Sequence, residues 1–392
     1  MTGSRSSARR DLAVLGSTGS IGEQTLAVAA REHERLRVTA LAAGSNLERL
    51  CAQARAWRPA FLALERAGDP AAAHAALRDA SPGASIEVGE GASARRAAGC
   101  GATDVVNGIV GAAGLAASLA ALERGARLAL ANKETLVVGG PLVRRALERA
   151  GGALLPVDSE HSAAMQCMLG RPPAEVAMLT ITASGGPLRG HPDWRRATRA
   201  EVLAHPVWAM GARITTDSAT LFNKGLEIIE AHWLFDLPWE RLSAVVHPQA
   251  LVHAIASFTD GSLVAQVARA DMKLPIQLAL SWPERWGAAI PAASPLELAN
   301  LVFEPVEPAR FPAYACALAA GRLGGTAPCA LNAADEVAVQ AFLDGAIPLG
   351  RVPEILERVL DGHEVEEVES LEQLHVADAR ARTEARAEVA RS

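Results

Sequence analysis

Long apolar runs, aromatic rings, paired cysteines and surplus positive charge are all scarce in this chain of 392 residues. No window approaches the roughly 18 uninterrupted apolar residues a membrane-spanning helix needs, so a soluble protein with no membrane partner is expected. The five cysteines, Cys51, Cys100, Cys167, Cys316 and Cys329, form no C-x-x-C pair, and pairing would leave one over. That argues against a disulfide framework and a cysteine zinc site, and predicts buried, reduced thiols in a cytoplasmic protein. A formal charge of -6 leaves no basic field for a polyanion. Nucleic acid is therefore not an expected partner, and any bound phosphate should belong to a small molecule. The opening MTGSRSSARR is polar and basic with no apolar segment behind it, which reads as a loose tail and not as a signal peptide.

What is present is apolar and periodic. Half of the residues are hydrophobic, more than one core normally absorbs, which predicts two or three domains. From Asp11, apolar runs alternate with helical stretches: DLAVLG, IGEQTLAVAA, RVTALAAG, a helix from Leu47, and so on to RLALAN and the helix after it. This is the sequence form of an α/β fold with a parallel sheet and crossover helices. A second domain is expected to begin near Gly151 and Gly152, where LLPVDSEH and MLTITASGG read as strands feeding functional loops. Residues 185 to 211 have weak periodicity and read as either a lid or a helix-containing insert. The proline-rich stretch 283 to 312 reads as a surface linker. Beyond Pro312 helices are expected in AYACALAAGRL, in ALNAADEVAVQAFLDG with Gly345 as its stop, and in VPEILERVLDG. ADARARTEARAEVARS reads as an exposed helix or a frayed tail.

DLAVLGSTGSIGEQTL places a buried strand directly before a glycine-studded turn and an amphipathic helix. Gly16, Gly19 and Gly22 permit a tight turn and close backbone approach to a pyrophosphate, with amides of Thr18, Gly19, Ser20 and Ile21 at a helix N-terminus. Ser17 stands where the usual G-x-G-x-x-G has its second glycine. The second strand, RVTALAAGSN, ends without the Asp or Glu that would bond a free ribose 2′-hydroxyl, which disfavours NAD and favours NADP. Arg49, one helical turn past Ser45, is a substitute candidate for the 2′-phosphate, or else a solvated helix residue.

In LLPVDSEH, Asp158 and Glu160 are two apart, so on an extended segment both point to one side. Two like charges forced together call for a cation, and oxygen-only ligands select Mg2+ or Mn2+; the alternative is two acids solvated in a loop. In DSATLFNKGLEIIEAHWLF, Leu226, Ile229 and Trp233 make one helical stripe, while Asn223, Lys224 and Glu227 share another face. Asp217 and Ser218 sit where an N-cap is expected, beside free N–H groups that suit an anion. Ser184, before Gly185 and Gly186, offers another hydroxyl where backbone can approach a ligand. His205 and Trp208, in AHPVWAMG, are placed to close over an occupied site, although a Trp is more often a packing residue. His161, His232, His247 and His253 have no evident partner and read as structural.

GSTGSIG, ANKE, VDSEH, ASGGP, HPVWAMG and DSATLFNKGLEIIEA stand in one order, and together resemble the 1-deoxy-D-xylulose 5-phosphate reductoisomerase family over about residues 11 to 361. The resemblance implies a Rossmann-like NADPH domain over 1–150 and a catalytic, metal-binding and dimerisation α+β domain over 151–285 with its lid at 185–211. A linker over 286–311 and a C-terminal helical domain over 312–392 follow. It implies Asp158, Glu160 and Glu227 as ligands of Mg2+ or Mn2+. Lys133, Ser159, Glu160, Ser184, His205, Trp208, Ser218, Asn223, Lys224 and Glu227 would contact a sugar-phosphate substrate. Lys133 and His205 join the three carboxylates as catalytic groups. Thr18, Gly19, Ser20, Ile21, Gly44, Ser45, Asn46, Asn132, Glu134 and Gly211 fall on the cofactor positions. The family often has a basic residue where this chain has Ser45, and lysine is common where it has Arg213. A homodimer is implied as well. Rival expectations are another NADP-dependent dehydrogenase of a phosphorylated metabolite, such as a semialdehyde dehydrogenase, and a non-catalytic sensor of NADPH or a sugar phosphate.

Overall fold

β1 (Arg10–Leu15) is apolar on both faces because it runs through the middle of a sheet, and its last four residues are fully buried. This computed structural model describes residues 9–208 and 210–391; the expected loose tail lies, up to Ala8, outside the described residues. After β1 come α1 (Ser20–Arg31), β2 (Leu36–Ala43), α2 (Leu47–Trp57), β3 (Phe61–Leu64), α3 (Pro70–Ala80) and β4 (Ser85–Val88). They are followed by α4 (Ala92–Gly99), β5 (Asp104–Asn107), α5 (Gly114–Glu123), β6 (Arg127–Leu130), α6 (Glu134–Ala150) and β7 (Ala153–Pro156). The seven strands form a wholly parallel sheet in the order β4-β3-β2-β1-β5-β6-β7. The order reverses between β1 and β5, the point at which open α/β sheets bind ligands beyond their carboxyl ends.

The chain divides into two compact units. One comprises residues 1–132, 143–158 and 271–290, which hold this sheet; the other comprises 133–142, 159–270 and 291–392. The return of 271–290, with its helix at Lys273–Ser281, to the first unit is not announced by any pattern in the sequence. α6 bends at Gly139, where its backbone leaves the helical region, with Pro141 close behind.

The second unit is built on α7 (Ser159–Cys167), β8 (Val176–Ala183), α8 (Arg199–Leu203), α9 (Ala212–Ala219), α10 (Phe222–Phe235), β9 (Leu242–Val246), β10 (Val252–Phe258) and β11 (Leu263–Val267). α11 is Lys273–Ser281; then follow β12 (Glu304–Pro305), α12 (Pro312–Leu323), α13 (Ala327–Leu343), α14 (Arg351–Gly362) and α15 (Leu371–Ala390). Its sheet is mixed, in the order β11-β10-β8-β9-β12. β12 comes from the stretch expected to be a bare linker: two of its residues pair antiparallel with β9. The final helix is packed and not frayed, because Leu374, Ala377, Ala381 and Ala385 recur every three or four residues and all are buried. Among the described residues no helix is long and apolar enough to cross a membrane. All five cysteines are free, and four of them are buried.

Candidate active site

The glycine turn of the first unit is built as close-packed backbone. Gly16 has φ +76°, and a Cβ there would lie 2.5 Å from Gly108 O; at Gly22 a Cβ would lie 2.4 Å from Gly16 O. A side chain at Gly16 would displace the loop after β5, and one at Gly22 would push α1 off the turn. α1 starts after Gly19 with no side-chain cap, so Thr18, Gly19, Ser20 and Ile21 border uncapped amides of the kind that hold a pyrophosphate. Gly44, Ser45 and Asn46 follow β2 and are exposed, with Asn46 Oδ1 accepting from Arg49 N at 3.0 Å. Asn132 is buried and donates to Ile109 O at 2.8 Å and Gly111 O at 2.9 Å, which fixes the loop after β5. This bare cradle with exposed polar edges fits a dinucleotide. Arg49 is engaged elsewhere: its guanidinium makes two bonds to Glu23, at 2.7 and 2.6 Å, and this pairing holds the Glu23 carboxyl below its usual range.

Asp158 and Glu160 do not lie on an extended segment as their spacing suggested. β7 has ended by Pro156, and α7 begins at Ser159. Yet Glu160 and Glu227, both in the second unit, bring one carboxylate oxygen each within 4.8 Å of the other. Asp158 is one peptide bond from α7, so the chain itself ties it to Glu160. Two oxygens on one Mg2+ stand about 3 to 4 Å apart at bond lengths of ~2.1 Å, so the separation of Glu160 and Glu227 is close to what one shared ion would need. An all-oxygen set of three carboxylates fits Mg2+ or Mn2+ and has no soft ligand for zinc.

Glu227 is buried on α10 and is ringed by donors. Its Oε1 accepts from Lys133 Nζ at 2.9 Å and from Asn223 Nδ2 at 2.5 Å, and its Oε2 pairs with Lys224 Nζ. Lys224 Nζ also stands 3.2 Å from Glu160 Oε1. Ser159 Oγ donates to Glu160 Oε2 at 2.5 Å. Buried charges of one sign persist only when matched, and the two ammonium groups match these carboxylates. α10 buries Leu226 and Ile229 in the helical core, with Trp233 against its edge, as the stripe predicted. Asn223 and Lys224 fall in its first turn.

Asp217 and Ser218 are not at an N-cap. They close α9, and the residue before α10 is Leu221, whose left-handed backbone (φ 55°) breaks the helix there. Ser218 therefore meets the glycine loop after β8 through its backbone: a Cβ on Gly186 would lie 2.5 Å from Ser218 O. In the same loop Ser184 Oγ accepts from Gly186 N at 3.2 Å and lies 3.1 Å from His205 Nε2. His205 Nδ1 accepts from the amides of Val207 and Trp208, at 3.2 and 2.8 Å. Nδ1 is thus an acceptor and Nε2 carries the proton, which it donates to Ser184. Burial lowers the His205 pKa, in keeping with a neutral ring. Trp208 lies tilted to His253, ring centres 6.5 Å apart.

Residues 187–204 form a helix-containing insert that is pinned down. Leu188, Ala197 and Val202 are buried in the helical core. Arg310 Nη2 donates to the carbonyls of Leu188, Arg189 and His191 at 2.7 to 3.1 Å, and Gly350 N donates to Arg195 O at 2.9 Å. Gly211 is the N-cap of α9 in extended backbone. Glu134 lies 3.5 Å from Arg213, which also reaches Asp335 (3.5 Å), Glu336 (2.9 Å) and Asp217 (3.8 Å). Burial pushes the Asp217 carboxyl up to about 7 against the pull of Arg213.

His161, expected to be structural and with no partner evident in the sequence, has partners in the fold. Its Nε2 lies 2.8 Å from Glu227 O and its Nδ1 3.4 Å from Glu230, so it props the helix turn that carries Glu227. The i, i+3 spacing of Glu227 and Glu230 beside a His next to Glu160 was the available signal. His232, His247 and His253 bond backbone carbonyls, at 2.7, 2.8 and 3.2 Å.

Three family descriptions match the chain. These are 1-deoxy-D-xylulose 5-phosphate reductoisomerase over residues 12–140, the C-terminal domain of that enzyme over 154–235, and the DXP reductoisomerase C-terminal domain over 267–384. A 1-deoxy-D-xylulose 5-phosphate reductoisomerase of Symbiobacterium thermophilum is 46% identical over 381 residues, covering 96% of this chain and 98% of that protein. The Zymomonas mobilis reductoisomerase in complex with NADPH superposes with a TM-score of 0.90 at 37% identity, over 97% of this chain and 99% of that one. A structure of DOX-P reductoisomerase with NADPH, fosmidomycin and magnesium gives 0.92 at 36% identity, over 97% and 98%.

Proposed function

The chain belongs to the 1-deoxy-D-xylulose 5-phosphate reductoisomerase family, and on that premise we infer that the residues described above serve one reaction. It is the NADPH- and divalent-metal-dependent rearrangement and reduction of 1-deoxy-D-xylulose 5-phosphate to 2-C-methyl-D-erythritol 4-phosphate, a step toward isoprenoid precursors. The observation that carries the reading is the approach of Glu160 and Glu227 to within 4.8 Å, with Asp158 directly before α7 in the chain and buried lysines beside the pair.

The bound ion supplies Lewis-acid polarisation of the substrate's ketone and hydroxyl oxygens, and NADPH supplies the hydride. The chain's own groups do the rest. Asp158, Glu160 and Glu227 hold the ion. Lys133 and Asn223 keep Glu227 oriented. Ser184, Ser218, Asn223 and Lys224 take the phosphate, so that binding energy remote from the reacting carbons goes into orientation. His205 positions Ser184, while 187–204 is anchored against the helical core. Trp208 covers the substrate on closure. The glycine cradle with Thr18, Gly19, Ser20 and Ile21 takes the pyrophosphate, Gly44 to Asn46 the adenosine ribose, and Asn132, Glu134 and Gly211 the nicotinamide half.

The protein works as a cytoplasmic homodimer. Free cysteines fit a reducing compartment. β11 is an edge strand with Leu263 and Val264 exposed, an open edge that a second copy would cover. Light scattering should give twice the chain mass, and a monomer at micromolar concentration would discard the dimer.

The deciding assay is loss of NADPH absorbance with 1-deoxy-D-xylulose 5-phosphate, with and without Mg2+ or Mn2+. Metal-dependent oxidation yielding a branched polyol phosphate is expected. Oxidation that survives chelation would point to an ordinary dehydrogenase, and binding without turnover to a sensor.

A further inference from the structure

The adenosine end of the cofactor site has a gap in its chemistry. NADPH differs from NADH by a 2′-phosphate dianion, which needs a cation at the end of β2. Ser45 offers only a hydroxyl there. Arg49 is already neutralised by Glu23 through two bonds.

A second arginine reaches the same place from the neighbouring strand. The β2–β3 pairing runs on past the strand ends: Glu65 N donates to Ala43 O at 3.0 Å and Arg66 N to Gly44 O at 2.8 Å. Arg66 is thereby fixed beside Gly44, and an ideal Cβ on Gly44 would stand 3.8 Å from Arg66 Nη2. The Arg66 side chain is exposed, and among the described residues it forms no ion pair. The acids nearest in sequence are occupied. Glu65 accepts from Gly91 N and, at 3.0 Å, from Ser93 N. Asp69 caps α3 by accepting from Ala71 N and Ala72 N, both at 3.0 Å.

We propose that Arg66 grips the 2′-phosphate of NADPH and sets the preference of this enzyme for NADPH over NADH, in the role that Ser45 cannot fill and Arg49 is not free to fill. The inference rests on the reading of Gly44 to Asn46 as the adenosine-ribose site.

Calorimetric titration of the whole chain with NADPH, NADH and 2′,5′-ADP, with no substrate present, tests it. In the wild type NADPH should bind more tightly than NADH. Arg66→Ala should weaken NADPH and 2′,5′-ADP by about tenfold to a hundredfold, the range of a charge-assisted hydrogen bond, and leave NADH within about twofold. Arg66→Lys should restore part of the loss, and Arg49→Ala should change NADPH binding by less than about threefold. Arg66→Ala should stay folded, because the side chain is exposed and unpaired. NADPH affinity unchanged in Arg66→Ala, or NADPH and NADH weakened alike, overturns the assignment while leaving the cofactor reading intact. Wild-type protein that binds neither dinucleotide ends both.

Discussion

At the scale of single residues, the chemistry rests on charges that are buried because they are matched. Lys224 touches both Glu160 and Glu227, so the residue assigned to the substrate's phosphate also steadies two of the carboxylates assigned to the ion. Lys224→Ala should therefore lower turnover at saturating substrate as well as affinity, and Asn223→Ala should do the same more mildly through its bond to Glu227. Unchanged turnover in both would show that they serve ground-state binding alone. Lys224→Ala should also destabilise the fold by about 3 kcal/mol or more, because it leaves buried carboxylates uncompensated. Asp217 tests a different balance. Its folded pKa, about 7, exceeds its ordinary value of 3.8, so the native state holds a proton the unfolded chain releases. That contribution is intact below about pH 4 and is lost as pH rises toward 7. Asp217→Asn should flatten the fall in melting temperature between pH 5 and 8, and an unaltered slope would mean Asp217 ionises freely. The acids and lysines themselves were legible in VDSEH and FNKGLE. The meeting of Lys133 with Glu227, 94 positions apart, was not, since local spacing carries no information about such a contact.

At the scale of elements, α10 is both a core helix and the carrier of Asn223, Lys224 and Glu227, so its seating sets the site. Gly225 is where it crosses α12 most closely: a Cβ there would lie 2.4 Å from Ala317 Cβ and 3.3 Å from Tyr314 O. Gly225→Val must separate the two helices, and overpacking of this kind costs about 1 to 3 kcal/mol. The expected result is a lower melting temperature together with a raised KM for substrate; a stability loss with unaltered kinetics would show that α10 transmits no shift to its polar face. The apolar stripe made this helix readable in the sequence. Its start was misread because Leu221 takes a left-handed conformation that nothing in ATLFNK signals, since residues that favour it are glycine and asparagine. The insert at 187–204 was ambiguous for a related reason. Its buried side chains are three scattered residues, Leu188, Ala197 and Val202, which make no period for the eye to find.

At the scale of the whole molecule, parts remote in sequence hold the site in place, and α15 is the clearest case. The sequence left this stretch open between exposed helix and frayed tail because its polar face is long and its buried face is mostly alanine. In the fold it lies along α13, with Leu374, Ala377, Ala381 and Ala385 buried and Cys329 Sγ 3.4 Å from Leu374 O. From it runs a chain of ion pairs. Arg382 holds Glu336 at 2.6 Å, Glu336 holds Arg213 at 2.9 Å, and Arg213 stands 3.5 Å from Glu134 at the head of α6, one residue from Lys133. Arg213 belongs to α9, which also carries Ser218. Ending the chain at Glu369 removes no residue assigned to substrate, metal or cofactor, yet it uncovers α13 and frees Glu336. Exposing Leu374's partners alone costs about 1.5 to 3 kcal/mol, and the broken pairs add to that. The truncated protein should melt lower and lose most of its turnover. Arg382→Ala isolates the electrostatic part: it should raise the substrate KM with a smaller loss of stability, because α15 still packs. Full activity in the truncated chain would show that α9 and α6 hold their positions without the C-terminal helix.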